Sequence, residues 1–514
     1  MKQELPARVP PSQCATLSPP IAPRGVRLAC LTALLGLVVY FAILGGQRIA
    51  RREADFQYFY HAGTALLEHG ELDRGYDYLP KRRTERRGTI EWYLPFVSRF
   101  MTLFAWLPFE AAGTVWLTLN LVAFLTILVL LGRHLMGLPP QDWPVTLLVP
   151  VLLMVLFWHW EFRLNQIDIL TMLLLVASFV QWQQRRRNLA GFWLGLAVLI
   201  KIMPMLMVVW FTLKRQYRTV AVALLTIVLA GPVSDLIVFR PAYTLDAYRQ
   251  WVHIGVGRSS HRGLVLNQLE MDWRNQGLGA VASRWLHPTN YVLHFDNDPR
   301  IKTDKPPGTM NVLDLSREAV ATVVMAVVAL SAVGLLWLAR RPASELNLWQ
   351  LRTEWALFFL ALLWLMPVLR RYHLVLTLPA LAMLGSGIHY AAGRRVRWVK
   401  LSLACISATL VAQIAILTRE LPESGVLSYL EGFLSTQSLQ ALSNALDSGI
   451  VEASGVLLLA VWLLAIPLVT LLLRLGREPD AMPKHAYAPP HPDRSFRSLG
   501  GDRGREAEPV AARA

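Results

Sequence analysis

Apolar residues fall along this chain in blocks separated by short polar connections. The blocks run about 17–25 residues, the length a helix needs to cross about 30 Å of hydrocarbon. They lie near 27–46, 111–131, 143–158, 167–182, 218–239, 317–339, 354–369, 372–391, 398–418 and 452–473. Each predicts a spanning helix, and together they predict an all-α integral membrane protein. Two more apolar stretches, 93–109 and 189–213, do not fit a single crossing. The second carries Lys201 and Pro204 at its centre.

Composition agrees with this pattern. Of 514 residues 54% are hydrophobic, 18 are Trp, and the mean hydropathy is +0.38. The net charge of +16 would suit nucleic acid, but the cations cluster in short connections between apolar blocks. That is the distribution the positive-inside rule produces, so nucleic acid is not an expected partner. Cys14, Cys30 and Cys405 are scattered without metal-ligand or disulfide spacing. Residues 1–26 read as a cytoplasmic tail, 27–475 as the polytopic domain, and 476–514, rich in Pro, Arg and Ala, as a disordered cytoplasmic tail.

Charge also sets the expected sidedness. QQRRRN (183–188), KRQYR (214–218), ARRPASELNLWQLR (339–352) and GRRVRWVK (393–400) are basic, whereas 419–450 carries four acids against Arg419. Basic connections belong in the cytoplasm. QQRRRN and KRQYR must then share a side, so 189–213 is expected to be a broken helical hairpin with two halves of about 12 residues, each rising about 18 Å. The same accounting places outer loops near 47–110 and 240–316 and makes 93–109 an interfacial or re-entrant helix. Residues 47–92 break the rule with nine cations, and an anionic lipid headgroup would explain them.

Several polar residues on the outer side are candidates for chemistry. EADFQYFYHAGTALLEHG (53–70) repeats Phe56, Phe59, Tyr60, Gly63 and Leu67 at spacings of three and four, which predicts an amphipathic interfacial helix ending at Gly70. Asp55 is open to two readings, an N-cap or a partly desolvated general base. Lys201, near mid-bilayer, needs a partner or a wet cavity. Its readings are a phosphate contact or a pairing with a carbonyl or carboxylate. WHWEFRLNQID (158–168) is a polar break with Glu161, Arg163, Asn165, Gln166 and Asp168, of which Gln166 is the favoured ligand group. Asn275 and Gln276 precede an amphipathic stretch that they either cap or equip for binding. LRRYH (369–373) supplies Arg370, Arg371 and His373, with no companions at metal-ligand spacing.

Five of these elements, taken in order over roughly 30–400, resemble glycosyltransferase family 87, polyprenol-phosphate-mannose-dependent mannosyltransferases of the GT-C class. They are DFQYFYHAGTALLEHG (55–70), YLPFVSRFMTLFAWLPFEAAGTVWLTLN (93–120) with the Gln166 loop, LAGFWLGLAVLIKIMPMLMVVWFTLKRQYR (189–218), NQG (275–277) and His373. The resemblance implies a GT-C-like bundle in the cytoplasmic membrane with an outward-facing site. It implies sugar transfer from a polyprenyl-phosphate donor to a lipid or glycan acceptor, with Asp55 as base and no cofactor or metal. Tyr58, Arg163, Gln166, Lys201, Asn275, Gln276, Arg371 and His373 would line the substrate site. This chain reads Asn-Gln-Ile-Asp where the family usually has Gly-Gln-x-Asn, and its Asn-Gln-Ser element ends in Gly277. The alternative is a transporter or flippase of lipid-linked or anionic solutes, which would show matching interrupted spans in two halves.

Overall fold

The computed structural model describes residues 23–70, 93–138, 140–239, 241–253, 260–269, 271–290, 309–391, 398–409 and 455–477. These are helical throughout, with no strand among the described residues. The acidic 419–450 connection, the cations of 71–92 and the tail beyond 477 lie outside them.

Among the described residues six helices are long and apolar enough to span a bilayer: Arg24–Ala50, Phe109–Leu135, Tyr217–Val238, Arg317–Leu338, Arg371–His389 and Leu458–Leu475. In hydrocarbon a backbone must satisfy its own polar groups, which a helix does within a single segment. Helix α1 (Arg24–Ala50) turns Leu28, Leu31 and Leu35 outward, and Arg317–Leu338 does so with Leu330 and Val333, as lipid-facing helices should. The inner helix Leu348–Trp364 is instead buried along almost its whole length. It opens on a reciprocal cap: Gln350 N donates to Asn347 Oδ1 and Asn347 N to Gln350 Oε1, each at 2.9 Å.

Two short helices follow α1 at one end of the bundle. These are α2 (Phe56–His69) and α3 (Pro95–Ala105). At 11 residues α3 rises about 16 Å, too little to cross, and it lies along α2 instead. Gly63 permits this, because a Cβ there would stand 2.6 Å from the Met101 carbonyl carbon. Gly70 ends α2 in the left-handed region at φ 65°, donating its N–H to Leu66 O. Helix α4 (Phe109–Leu130) restarts from the same end, where Arg52 bonds Glu110 at 2.9 Å.

The expected span at 143–158 is not a straight helix. Helices α5 (Trp143–Leu153) and α6 (Val155–Leu164) meet at Met154 with a bend of 73°. Pro150 sits inside α5 without a backbone donor, which accounts for a weakened ladder just before the bend. Asn165 then closes α6 at φ 51°, ψ 53°, and Gln166 N donates back to Glu161 O at 3.1 Å. Asn tolerates the left-handed conformation better than most side chains.

Helices α7 (Asp168–Gln183), α8 (Arg187–Ile200), α9 (Met205–Leu213) and α10 (Tyr217–Val228) contain the expected hairpin. Its halves are 14 and 9 residues long, with the break at Lys201–Pro204. Contacts between α8 and α10 run in the same order along both. Arg218 Nε bonds Asn188 Oδ1 at 2.8 Å, Gly191 meets Val222, Gly195 meets Thr226, and Leu199 meets Gly231. The two helices are therefore parallel, so α9 returns to the end from which α8 left. Gly191 and Gly195 are four apart, the small-residue spacing that lets helix backbones approach closely. At the basic end Lys214 donates to the carbonyls of Ala339 and Arg341, each at 2.8 Å, and pairs with buried Glu354.

Candidate active site

At the opposite end five chain segments converge: the start of α2, the α6–α7 connection, the α8–α9 tip, and the loops 271–277 and 366–373. Asp55 stands at the N-cap position of α2 but makes no side-chain cap hydrogen bond. Its Oδ2 accepts instead from Gln166 Nε2 at 2.5 Å, across 111 residues of sequence. Of the two readings of Asp55, the cap is thus not the one realised. Gln166 is buried, and its backbone is held by its bond to Glu161 and by Asn120 Nδ2 on its carbonyl at 3.5 Å.

Lys201 ends α8 in extended conformation and places Nζ 2.6 Å from Asp168 Oδ1, the carboxylate being fully buried. Lys201 thus has the carboxylate partner that a cation at that depth requires. The other Asp168 oxygen faces His373 Nε2 at 3.9 Å. His373 Nδ1 accepts the Arg370 N–H at 3.1 Å, which leaves Nε2 to carry the hydrogen of the neutral ring. Glu161 closes this group by accepting from Ile169 N at 3.2 Å. Gln166, bonded to Asp55, and Asp168, bonded to Lys201, are two residues apart at the α6–α7 connection, which puts both clusters in one site.

The loop 271–277 forms the roof. Fully buried Arg284 gathers the carbonyls of Met271, Asp272 and Asn275 at 3.1, 2.8 and 2.9 Å. Asn275 Oδ1 accepts from Gly277 N at 2.8 Å and from Leu369 N at 3.0 Å, while Gln276 N donates to Leu369 O at 2.7 Å. The following helix, Leu278–Leu286, has Gly277 as its N-cap residue, so neither Asn275 nor Gln276 caps it. Both are buried and tie the roof to 367–369. The roof delivers Asp272, which bonds Arg274 at 3.1 Å and Arg370 at 3.2 Å. Burial alone would raise Asp272, but Arg370 and Arg274 outweigh it and hold the carboxyl well below the usual carboxylate range.

Aromatic rings carry the remaining cations. Arg371 lies between Trp160 and Trp273, with its guanidinium 5.1 and 5.5 Å from the ring centroids. Arg163 sits 4.6 Å from the same Trp160 ring. Tyr58 is half-buried on α2. Asp55, Gln166, Lys201 and His373 therefore occupy one neighbourhood, with Arg163 and Arg371 both over the Trp160 ring beside it. Sequence reasoning passed over the roles of Asp168, Asp272, Trp160 and Trp273. The usable signal for Asp168 was the requirement that Lys201 find a counter-charge, since no other acid lies between it and Lys201.

Among the described residues no group of His, Cys, Asp and Glu has the arrangement of a metal site. No curated protein and no solved structure matches the chain. The profile of glycosyltransferase family 87 matches residues 92–366, more than half of the sequence. The match includes Gln166, Asp168, Lys201 and Asn275, while Asp55 precedes it and His373 follows it. A helical membrane protein with this match is an enzyme of sugar transfer rather than a solute carrier: the chain belongs to glycosyltransferase family 87.

Proposed function

We propose that this membrane glycosyltransferase moves a sugar, mannose, from a polyprenyl-phosphate donor to a lipid or glycan acceptor. The reaction takes place on the outer face of the cytoplasmic membrane, with Asp55 as general base. The observation that carries the reading is the Asp55–Gln166 hydrogen bond. A carboxylate at the start of a helix would ordinarily cap it, whereas this one is drawn away and oriented by a second element.

In the proposed reaction the acceptor hydroxyl oxygen bonds to the anomeric carbon as the bond from that carbon to the phosphate oxygen breaks. The bonding electrons leave with the polyprenyl phosphate, and the hydroxyl proton passes to Asp55. A single displacement inverts the anomeric centre. Phosphate departs without a general acid, so one carboxylate suffices, unlike the pair that hydrolases use. Arg371 and Arg163, stacked on Trp160, are the cations suited to the departing charge. Lys201, neutralised by Asp168, serves to set the hairpin tip.

The test is sugar transfer in membranes from labelled polyprenyl-phosphate sugars. Asp55→Asn should abolish transfer while the protein still elutes as a folded, monodisperse species. Full activity of that variant would remove Asp55 from the chemistry. Transfer from a nucleotide sugar but from no polyprenyl-phosphate sugar would reject the donor.

A further inference from the structure

A second site lies at the other end of the bundle, remote from Asp55. Arg185, Arg186, Arg187 and Arg218 line one groove together with Asn188 and Leu189. They come from two connections, α7–α8 and α9–α10, which the parallel packing of α8 and α10 brings side by side. The Arg218 guanidinium is oriented by Asn188 Oδ1 at 2.8 Å. No Asp or Glu occurs between Asp168 and Asp235; of the seven cations in that stretch Lys201 and Lys214 pair with Asp168 and Glu354, and the other five are arginines. Among the described residues none of the four arginines pairs with a carboxylate. Topology alone asks for cations on this side; it does not ask that four guanidinium groups share one concavity.

The groove has a definite level. Leu189 lines it, and Leu189 and Phe192 on α8 with Leu224 and Leu225 on α10 are exposed apolar side chains directly beyond it. Tyr217, beside Arg218 in the chain, is also exposed. The arginines therefore sit where lipid-facing surface gives way to charge, the depth of lipid headgroups. Its volume of about 320 Å³ is at the lower end of the range for small-ligand sites, about 300–1,000 Å³. That admits a phosphate headgroup with the acyl chains left outside along α8 and α10. Guanidinium forks match phosphate oxygens in pairs, which makes arginine the suited donor.

We propose that this four-arginine groove binds the phosphate headgroup of an anionic phospholipid, which braces the α8–α10 pair from the end opposite the sugar-transfer site. The shared chemistry is a phosphate anion, and the membrane is the source the exposed apolar rim favours.

The full-length protein, purified in neutral detergent, is exchanged into phosphatidylcholine with or without phosphatidylglycerol. Retained lipid is counted by native mass spectrometry, and the unfolding midpoint is recorded. Phosphatidylglycerol should be retained and should raise the midpoint, and inorganic phosphate at equal phosphate concentration should do neither. Changing Arg185, Arg186 and Arg187 together to Lys keeps the charge that sets sidedness but removes the forks. It should weaken phosphatidylglycerol binding roughly tenfold. Arg218→Gln, on the separate connection, should weaken it as well if the triple variant does not fold. Undiminished retention in the folded variants would overturn the proposal. Stabilisation by inorganic phosphate equal to that by the lipid would overturn the assignment to a lipid.

Discussion

Replacing Asp168 with Ala removes the counter-charge of Lys201 without removing the cation. Asp168 is fully buried, the Lys201 side chain is 11% exposed, and Nζ and Oδ1 are 2.6 Å apart. Truncating one partner of a buried pair costs about 3–5 kcal/mol, because the remaining charge is left unsolvated. Lys201→Met should also destabilise, but less, since it leaves two neighbouring carboxyls, Asp168 and Glu161, one of which can take up a proton. The double variant Asp168→Ala, Lys201→Met removes both charges and leaves only a packing defect. It should be more stable than Asp168→Ala alone, with a coupling energy of about 2 kcal/mol or more in a double-mutant cycle. The assay is equilibrium unfolding of the purified protein in mixed detergent micelles, with transfer activity followed in parallel. Stability should return in the double variant while activity stays low, because His373 has lost the oxygen it faces. Strictly additive destabilisation would refute the inference that Asp168 and Lys201 form one buried unit.

Three more outcomes follow from the same geometry. Gln166→Leu removes the donor to Asp55; bonds to charged groups contribute about 1.5–3 kcal/mol, so kcat/KM for transfer should fall roughly 10- to 100-fold with little change in the unfolding midpoint. Gly63→Ala sets a Cβ 2.6 Å from backbone atoms of Met101, and parting α2 from α3 should cost about 1–3 kcal/mol and lower activity through displacement of Asp55. Asp272 has a folded-state value below its unfolded one, so its contribution to stability is fully present above the unfolded carboxylate value of about 3.9 and is lost as pH falls below it. Asp272→Asn should therefore lower stability at neutral pH and flatten the acid limb of an unfolding-midpoint profile, and an unchanged acid limb would count against the Arg370–Asp272 bridge.

The pattern of apolar blocks alone establishes which solvent surrounds this protein. Blocks of apolar residues long enough to cross hydrocarbon leave little choice but helices, because a bilayer offers no partner for an open backbone. The basic connections fixed which ends lie together, which was enough to read 189–213 as a hairpin. The parallel course of α8 and α10 bears that out. Local chemistry also marked the positions of Gly70 and Lys201, where a backbone conformation and a buried charge each impose a condition on the chain.

Other features were decided only by packing. The bend at Met154 has no sharp sequence signal, since Pro150 lies inside an apolar run that reads as a plain span. Whether Asp55 caps α2 or faces Gln166 depends on where the α6–α7 connection comes to rest. Likewise the sequence says only that Lys201 needs a counter-charge, and packing makes it Asp168, at the start of the helix beside it. Arg371 between two tryptophans, and the four arginines of the groove, come from segments far apart along the chain. Periodicity reports one helix at a time, and neither side-chain partnership nor the convergence of separate helix ends is written in it.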